Sequence, residues 1–100
     1  MSYSVKITPG ARDDIKRLYA FLARKHKPSA ERSLVVLAKA FDGLGLFPHS
    51  YRRVDAEDPT LREITIPFGG SGYLAMLRVR DDLEEVRILA IRHQLEDDYL

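Results

Sequence analysis

One hundred residues, 45% of them hydrophobic and 31% charged, make a chain sized for one folded domain and too apolar to stay disordered. No apolar run approaches the ~20 residues of a bilayer span, the chain opens on no basic-then-apolar leader, and the absence of cysteine excludes disulfides and thiolate chemistry. The net charge is only +1, yet Met1–Arg53 carries eleven Lys and Arg against four Asp and Glu, while Val54–Leu100 carries five against eleven.

That asymmetry predicts a dipolar surface, which favours steered association with a charged partner. Lysines and arginines on the wet faces of amphipathic helices would give the same count. A reducing cytoplasm is the compartment that the composition suits.

In chain order, Tyr3–Thr8 alternates, with Tyr3, Val5 and Ile7 on one side, and predicts a half-buried strand. Thr8 followed by Pro9 reads as a helix N-cap with proline in the first turn. Ala11, Ile15, Leu18, Tyr19 and Leu22 form one apolar stripe, with Asp13 and Asp14 placed early to suit the helix dipole. Pro28 disfavours helical geometry at Lys27 and predicts an end near His26. A second helix opens at Pro28-Ser29 with the stripe Ala30, Leu34, Leu37, Ala38, Phe41 and Leu44, and Gly43, Gly45 and Pro48 mark its end. So short a link predicts an antiparallel helical hairpin.

Phe47–Pro59 reads as a loop. Three strands follow at Leu61–Ile66, Tyr73–Arg80 and Glu84–His93, joined by Gly69-Gly70-Ser71-Gly72 and by Asp81-Asp82. Alternation sets Tyr73, Ala75, Leu77 and Val79 against Leu74, Met76, Arg78 and Arg80. In the last strand it sets Val86, Ile88 and Ala90 against Arg87, Leu89, Ile91 and His93. Both faces are partly apolar, so cover is expected on both, the hairpin supplying one. The fold class is α+β, a β-α-α-β-β-β chain with the hairpin on a small, mainly antiparallel sheet.

This order, with Leu61-Arg62-Glu63, Gly72-Tyr73, Arg78-Val79 and the block Ile88–Gln94, resembles the RelE/ParE superfamily of bacterial toxins over essentially the whole chain. The resemblance implies the toxin of a type II toxin–antitoxin module, neutralised in a hetero-oligomer by a ParD-like antitoxin. Two activities occur on that scaffold: ParE-like members bind and inhibit DNA gyrase, whereas RelE-like members cleave mRNA on the ribosome. Fold alone does not choose between them.

The nuclease reading would use His93, Arg62 and Tyr99. Against it, Leu74 stands where the resembling nucleases carry an arginine, Ile64–Pro67 replaces a lysine-bearing strand, and the acidic run Glu96–Asp98 would repel a phosphate chain. The ParE-like reading is therefore the expectation, with no cofactor, no catalytic residue and no sequence-specific nucleic-acid contact. Phe21, Val35 and Val36 fall off their helical stripes and are candidates for an antitoxin helix, with Arg62, Leu74 and Arg78 as strand candidates. Leu95 and Tyr99 are candidates for the target contact. His26, His49 and His93 are too scattered for a metal set unless Asp97 joins His93.

Overall fold

A computed structural model describes residues 2–96 of the chain. Strand β1 (Ser4–Ile7) leads into α1 (Pro9–Lys25) and α2 (Lys27–Asp42). A two-residue strand β2 (Arg52–Arg53) precedes β3 (Leu61–Phe68) and β4 (Ser71–Arg80), and a short 3-10 turn (Asp81–Leu83) links β4 to β5 (Glu85–His93). The sheet order is β1-β5-β4-β3-β2, with only β1 and β5 parallel. The expected α+β arrangement is the one observed; β2 was hidden in the stretch read as loop.

The first helix starts as the sequence indicates, with the Thr8 hydroxyl accepting the Ala11 N–H at 3.3 Å and Pro9 in the first turn. The break between the helices falls on His26 alone. His26 ends α1, and its Nδ1 accepts the Ser29 N–H to cap α2. Lys27 is already helical, so Pro28 sits in the first turn of α2 and the break lies one residue before the expected one. Across the hairpin the Tyr19 hydroxyl donates to Glu31 at 3.0 Å. On α2 the buried stripe is Ala30, Ser33, Leu37 and Phe41, while Ala38, expected inside, is exposed.

Both helices lie on one face of the sheet. Ala11, Leu18, Leu37 and Phe41 meet Ile66, Tyr73, Ala75, Leu77, Val86, Ile88 and Ile91 in a single core. The opposite face carries Leu74, Met76, Arg78 and Arg92, all half-exposed.

Two glycines are required by close approach of backbone. A Cβ on Gly45 would stand 1.9 Å from the Tyr3 carbonyl oxygen, and one on Gly72 would stand 2.3 Å from that of Ile66. The β3–β4 turn is Gly69-Gly70, and Gly69 has φ of +60°, which suits a tight hairpin.

The phase of β5 departs from strict alternation. Leu77 pairs with Ile88 and Met76 with Ala90, so Leu89 is the extra residue of a β-bulge. Ala90 therefore turns to the open face and Ile91 to the core, the reverse of the expectation. A ladder interrupted here still has its N–H partner: the Asp14 carboxylate, itself only 8% exposed, accepts the Ile91 N–H at 2.9 Å. Asp14 is thus held by a tertiary bond to β5. The first turn of α1 carries no acid, so the dipole account given to Asp14 by its position is replaced.

Candidate functional site

The bulge turns His93 to the helix side, where it pairs across the ladder with Tyr73. The second half of α1, the Phe68–Ser71 turn, Tyr73, His93, Leu95 and Glu96 then enclose a cleft of about 800 Å³. Its floor is aromatic. Phe68 stacks on Tyr73 with centroids 5.9 Å apart, and His93 meets Tyr73 edge-on at 5.8 Å. Burial pushes the Tyr73 phenol above its ordinary value, so it stays neutral. Arg24 and Lys25 stand at the rim, and Phe21, 53% exposed, lies under the Lys25 ammonium at 4.6 Å.

Both ring nitrogens of His93 are engaged. Nδ1 accepts the Leu95 N–H at 3.1 Å, which assigns the neutral ring's proton to Nε2, 3.0 Å from the Ser71 hydroxyl. Glu96 locks the same corner, accepting the His93 N–H at 2.8 Å and a 3.0 Å bond from Arg17. Burial alone would raise the Glu96 carboxyl. The His93 N–H and the Arg17 guanidinium outweigh it and hold the group below its ordinary range. Arg17 also lies 3.8 Å from Asp14, so α1, the bulge and the end of β5 form one polar connection.

The structure separates the candidates that the sequence groups together. Phe21 and Leu95 flank the cleft, Leu95 being 81% exposed. Val35 is 55% exposed on α2, whereas Val36 packs against the core and offers little surface. Leu74 and Arg78 lie on the open face, on the far side of the sheet from the cleft. Arg62 points to the helix side and donates to the carbonyls of Pro59, His49 and Tyr51 at 2.8–3.0 Å, pinning the loop before β3. His93 and Arg62 are on the same face but in different surroundings, and Asp97 and Tyr99 lie outside the described residues.

Every arginine on β2–β5 is held by an acceptor of this chain. Arg52 pairs with Glu63, Arg53 donates to the Ala56 carbonyl, and Arg78 meets Asp58 and Thr60, each at 2.9 Å. Arg80 grips Asp82 through two nitrogens, Arg87 meets Glu85 at 3.1 Å, and Arg92 donates to the Glu96 carbonyl. The Thr60 hydroxyl and then the Arg78 guanidinium keep the Asp58 carboxyl below its ordinary range. These engagements are not apparent in the sequence, since they run between strands and loops. The i, i+2 pairs Arg80–Asp82 and Glu85–Arg87 are the part that a strand reading could have found.

A second concavity of about 560 Å³ lies between the end of α2 and β3, beside the Arg52–Glu63 pair. A third cluster joins Tyr3, His49 and Asp81. The Tyr3 hydroxyl and His49 Nε2 both bond the Asp81 Oδ1, at 2.8 and 2.9 Å. Its hydrogen bond to Asp81 raises the Tyr3 phenol. This cluster ties β1, the loop after α2 and the β4–β5 turn together at the end opposite the cleft. Among the described residues no three His, Asp or Glu side chains are grouped to hold a metal ion.

Residues 5–98 match the profile of the ParE toxin of the parDE type II toxin–antitoxin system. The chain is 34% identical over 96 residues to Toxin RelE1 of Caulobacter vibrioides, covering 96% of this chain and 98% of that protein. Its fold matches a chain of the chromosomal ParDE system of P. aeruginosa, with a TM-score of 0.71, 22% identity and coverage of 92% and 96%. It also matches a chain of the RelBE2 toxin–antitoxin complex of Mycobacterium tuberculosis, with a TM-score of 0.63, 23% identity and coverage of 94% and 100%.

Proposed function

The chain belongs to the RelE/ParE toxins of type II toxin–antitoxin systems, and from that premise we propose that it acts by binding its target rather than by cutting RNA. The target proposed is DNA gyrase, as in ParE-like members, and a ParD-like antitoxin folds onto the toxin to silence it. The observation that carries this reading is the engagement of the strand arginines. Cleavage of a phosphodiester through a 2′-hydroxyl needs free, aimed cations to stabilise the charge that develops on phosphorus oxygens, and a base with an open lone pair. Here the guanidiniums already serve carboxylates and carbonyls, and both His93 nitrogens are occupied. Leu74 adds an aliphatic side chain on the open face beside Arg92.

The Phe21-flanked cleft is the proposed seat of the antitoxin's amphipathic helix. An apolar floor with Arg24 and Lys25 at its rim fits a helix with apolar anchors and acidic flanks. One finding favours the nuclease instead: a relative at 34% identity bears the name RelE. The purified toxin added to a gyrase supercoiling assay, and separately to a translation reaction, tests the choice. Inhibited supercoiling with intact message supports gyrase; the opposite result supports the ribosome.

A further inference from the structure

The cleft beside α1 holds polar groups that the chain itself leaves unused. Arg24 and Lys25 stand at its rim, both exposed, and among the described residues neither meets a carboxylate within ion-pair distance. Lys25 has the Phe21 ring, 4.6 Å away, in place of an anion. Inside the cleft, His93 Nδ1 accepts the Leu95 N–H, so Nε2 donates to the Ser71 hydroxyl oxygen at 3.0 Å. The Ser71 O–H is then left to donate elsewhere, and no described residue accepts it. The Glu96 carboxylate, by contrast, is already matched by Arg17 at 3.0 Å. Arg24 follows Arg17 on α1 by about 10 Å along the helix axis, so the free cations and the matched pair lie at different ends of the cleft.

We propose that this cleft binds a small aromatic carboxylate, its ring on the Phe68–Tyr73 floor, its charge at Arg24 and Lys25, and a ligand oxygen at the Ser71 hydroxyl. A volume of about 800 Å³ lies in the range of small-molecule sites. Two uncompensated cations beside apolar walls select an anion with an apolar body, and the stacked rings select a planar one. A bare anion gains nothing from the floor, and a neutral ring gains nothing from the rim. A nucleic-acid strand fits poorly, because Arg17, at the other end, already serves Glu96 and Asp14 and leaves no cation there for a second phosphate. The inference goes beyond the choice of target and stands whichever target the toxin engages. Ligand and antitoxin helix would share this cleft and exclude each other, so the ligand would act to release the toxin.

The test titrates the full-length toxin, without antitoxin, with naphthoate and with neutral naphthamide at fixed ionic strength, following the backbone amide resonances of Gly70, Ser71 and Tyr73. The expected result is saturable shifts with naphthoate, an affinity for naphthamide lower by about tenfold or more, and a similar loss for naphthoate in R24Q/K25Q. Lys6→Gln, on the opposite face of the sheet from Val5 and Ile7, should leave the affinity unchanged. Absence of saturable shifts overturns the proposal, and so does equal affinity for naphthoate and naphthamide, a comparison that needs no variant. Unchanged naphthoate affinity in a folded R24Q/K25Q protein overturns it as well. Acetate binding as tightly as naphthoate would reduce the site to its rim, and a single-stranded RNA oligonucleotide displacing naphthoate at lower concentration would assign it to nucleic acid; either result overturns the proposal. The titration needs no antitoxin, so its failure and a failure of the antitoxin seat are told apart.

Discussion

Seen from the helices, the sheet presents Tyr73, Ala75, Leu77, Val79, Val86, Ile88 and Ile91, none more than 3% exposed. Seen from the other side, the same strands present Leu74, Met76, Arg78, Arg87 and Arg92, all half-exposed. The residues alternate along one backbone, so the strands do not distinguish the faces; what packs on them does. On the helix side each side chain is fixed by volume, as in any close-packed interior. On the open side each guanidinium is fixed by a carboxylate or carbonyl that the chain itself supplies. The first face holds the fold together, and the second is ordered by polar contacts within the chain.

Substitution should break this symmetry of position. Ile88→Ala removes a fully buried side chain and should cost about 2–5 kcal/mol in denaturant unfolding. Met76→Ala, at the adjacent position across the bulge, should stay within about 1 kcal/mol, since its side chain is half-exposed. Equal losses at the two positions would mean that the open face is covered in the free protein.

The joint between the faces comes next. Asp14→Ala strands the Ile91 N–H at the bulge without its acceptor and should cost about 1–3 kcal/mol. Hydrogen exchange at the Ile91 amide should quicken in that variant; unchanged protection there would show that the bulge holds itself.

A smaller effect attaches to Glu96. Its folded value lies below the ordinary carboxyl value of 4.5, so its bonds to His93 and Arg17 stabilise the folded state fully above that value. The contribution is lost as pH falls through the lower, folded value. Glu96→Gln should therefore flatten the acid limb of the stability profile. An acid limb identical to that of the parent protein would assign the acid sensitivity to other carboxylates.

The smallest expected effect is on toxicity at His93. His93→Ala removes contacts to Ser71, Leu95 and Tyr73 and should trim stability while leaving growth arrest intact. Loss of toxicity in a folded His93→Ala protein would turn the cleft into a nuclease site.

The helix-covered face was largely legible in the sequence, because burial imposes period. Ala11, Leu18 and Leu37 fall on their stripes, and Tyr73 to Val79 keep strict alternation. Thr8-Pro9 announces its helix because the cap is a local bond. Legibility ends where the deciding partner is distant. Ile88-Leu89-Ala90-Ile91 is an unbroken apolar run, and nothing within it marks the extra residue at Leu89. Its phase is stabilised in part by Asp14, 77 residues away, whose role no local pattern reveals. Arg62 likewise reads as a free cation on a strand, although three carbonyls of the preceding loop hold it. Arg52-Arg53 carries no alternation at all, so β2 was invisible until β3 paired with it. Among the candidates, Val36 packs against the core while Phe21 and Val35 stay exposed, a difference that no helical stripe announces. The division of the candidates between cleft and open face depended on tertiary structure.

The account turns on whether the engaged guanidiniums leave the protein able to cut a polyanion. Primer extension on ribosome-bound message, with purified toxin and a parallel gyrase supercoiling reaction, measures that directly. The account predicts full-length message and arrested supercoiling. Message cut at ribosome-bound codons with supercoiling unimpaired would contradict it.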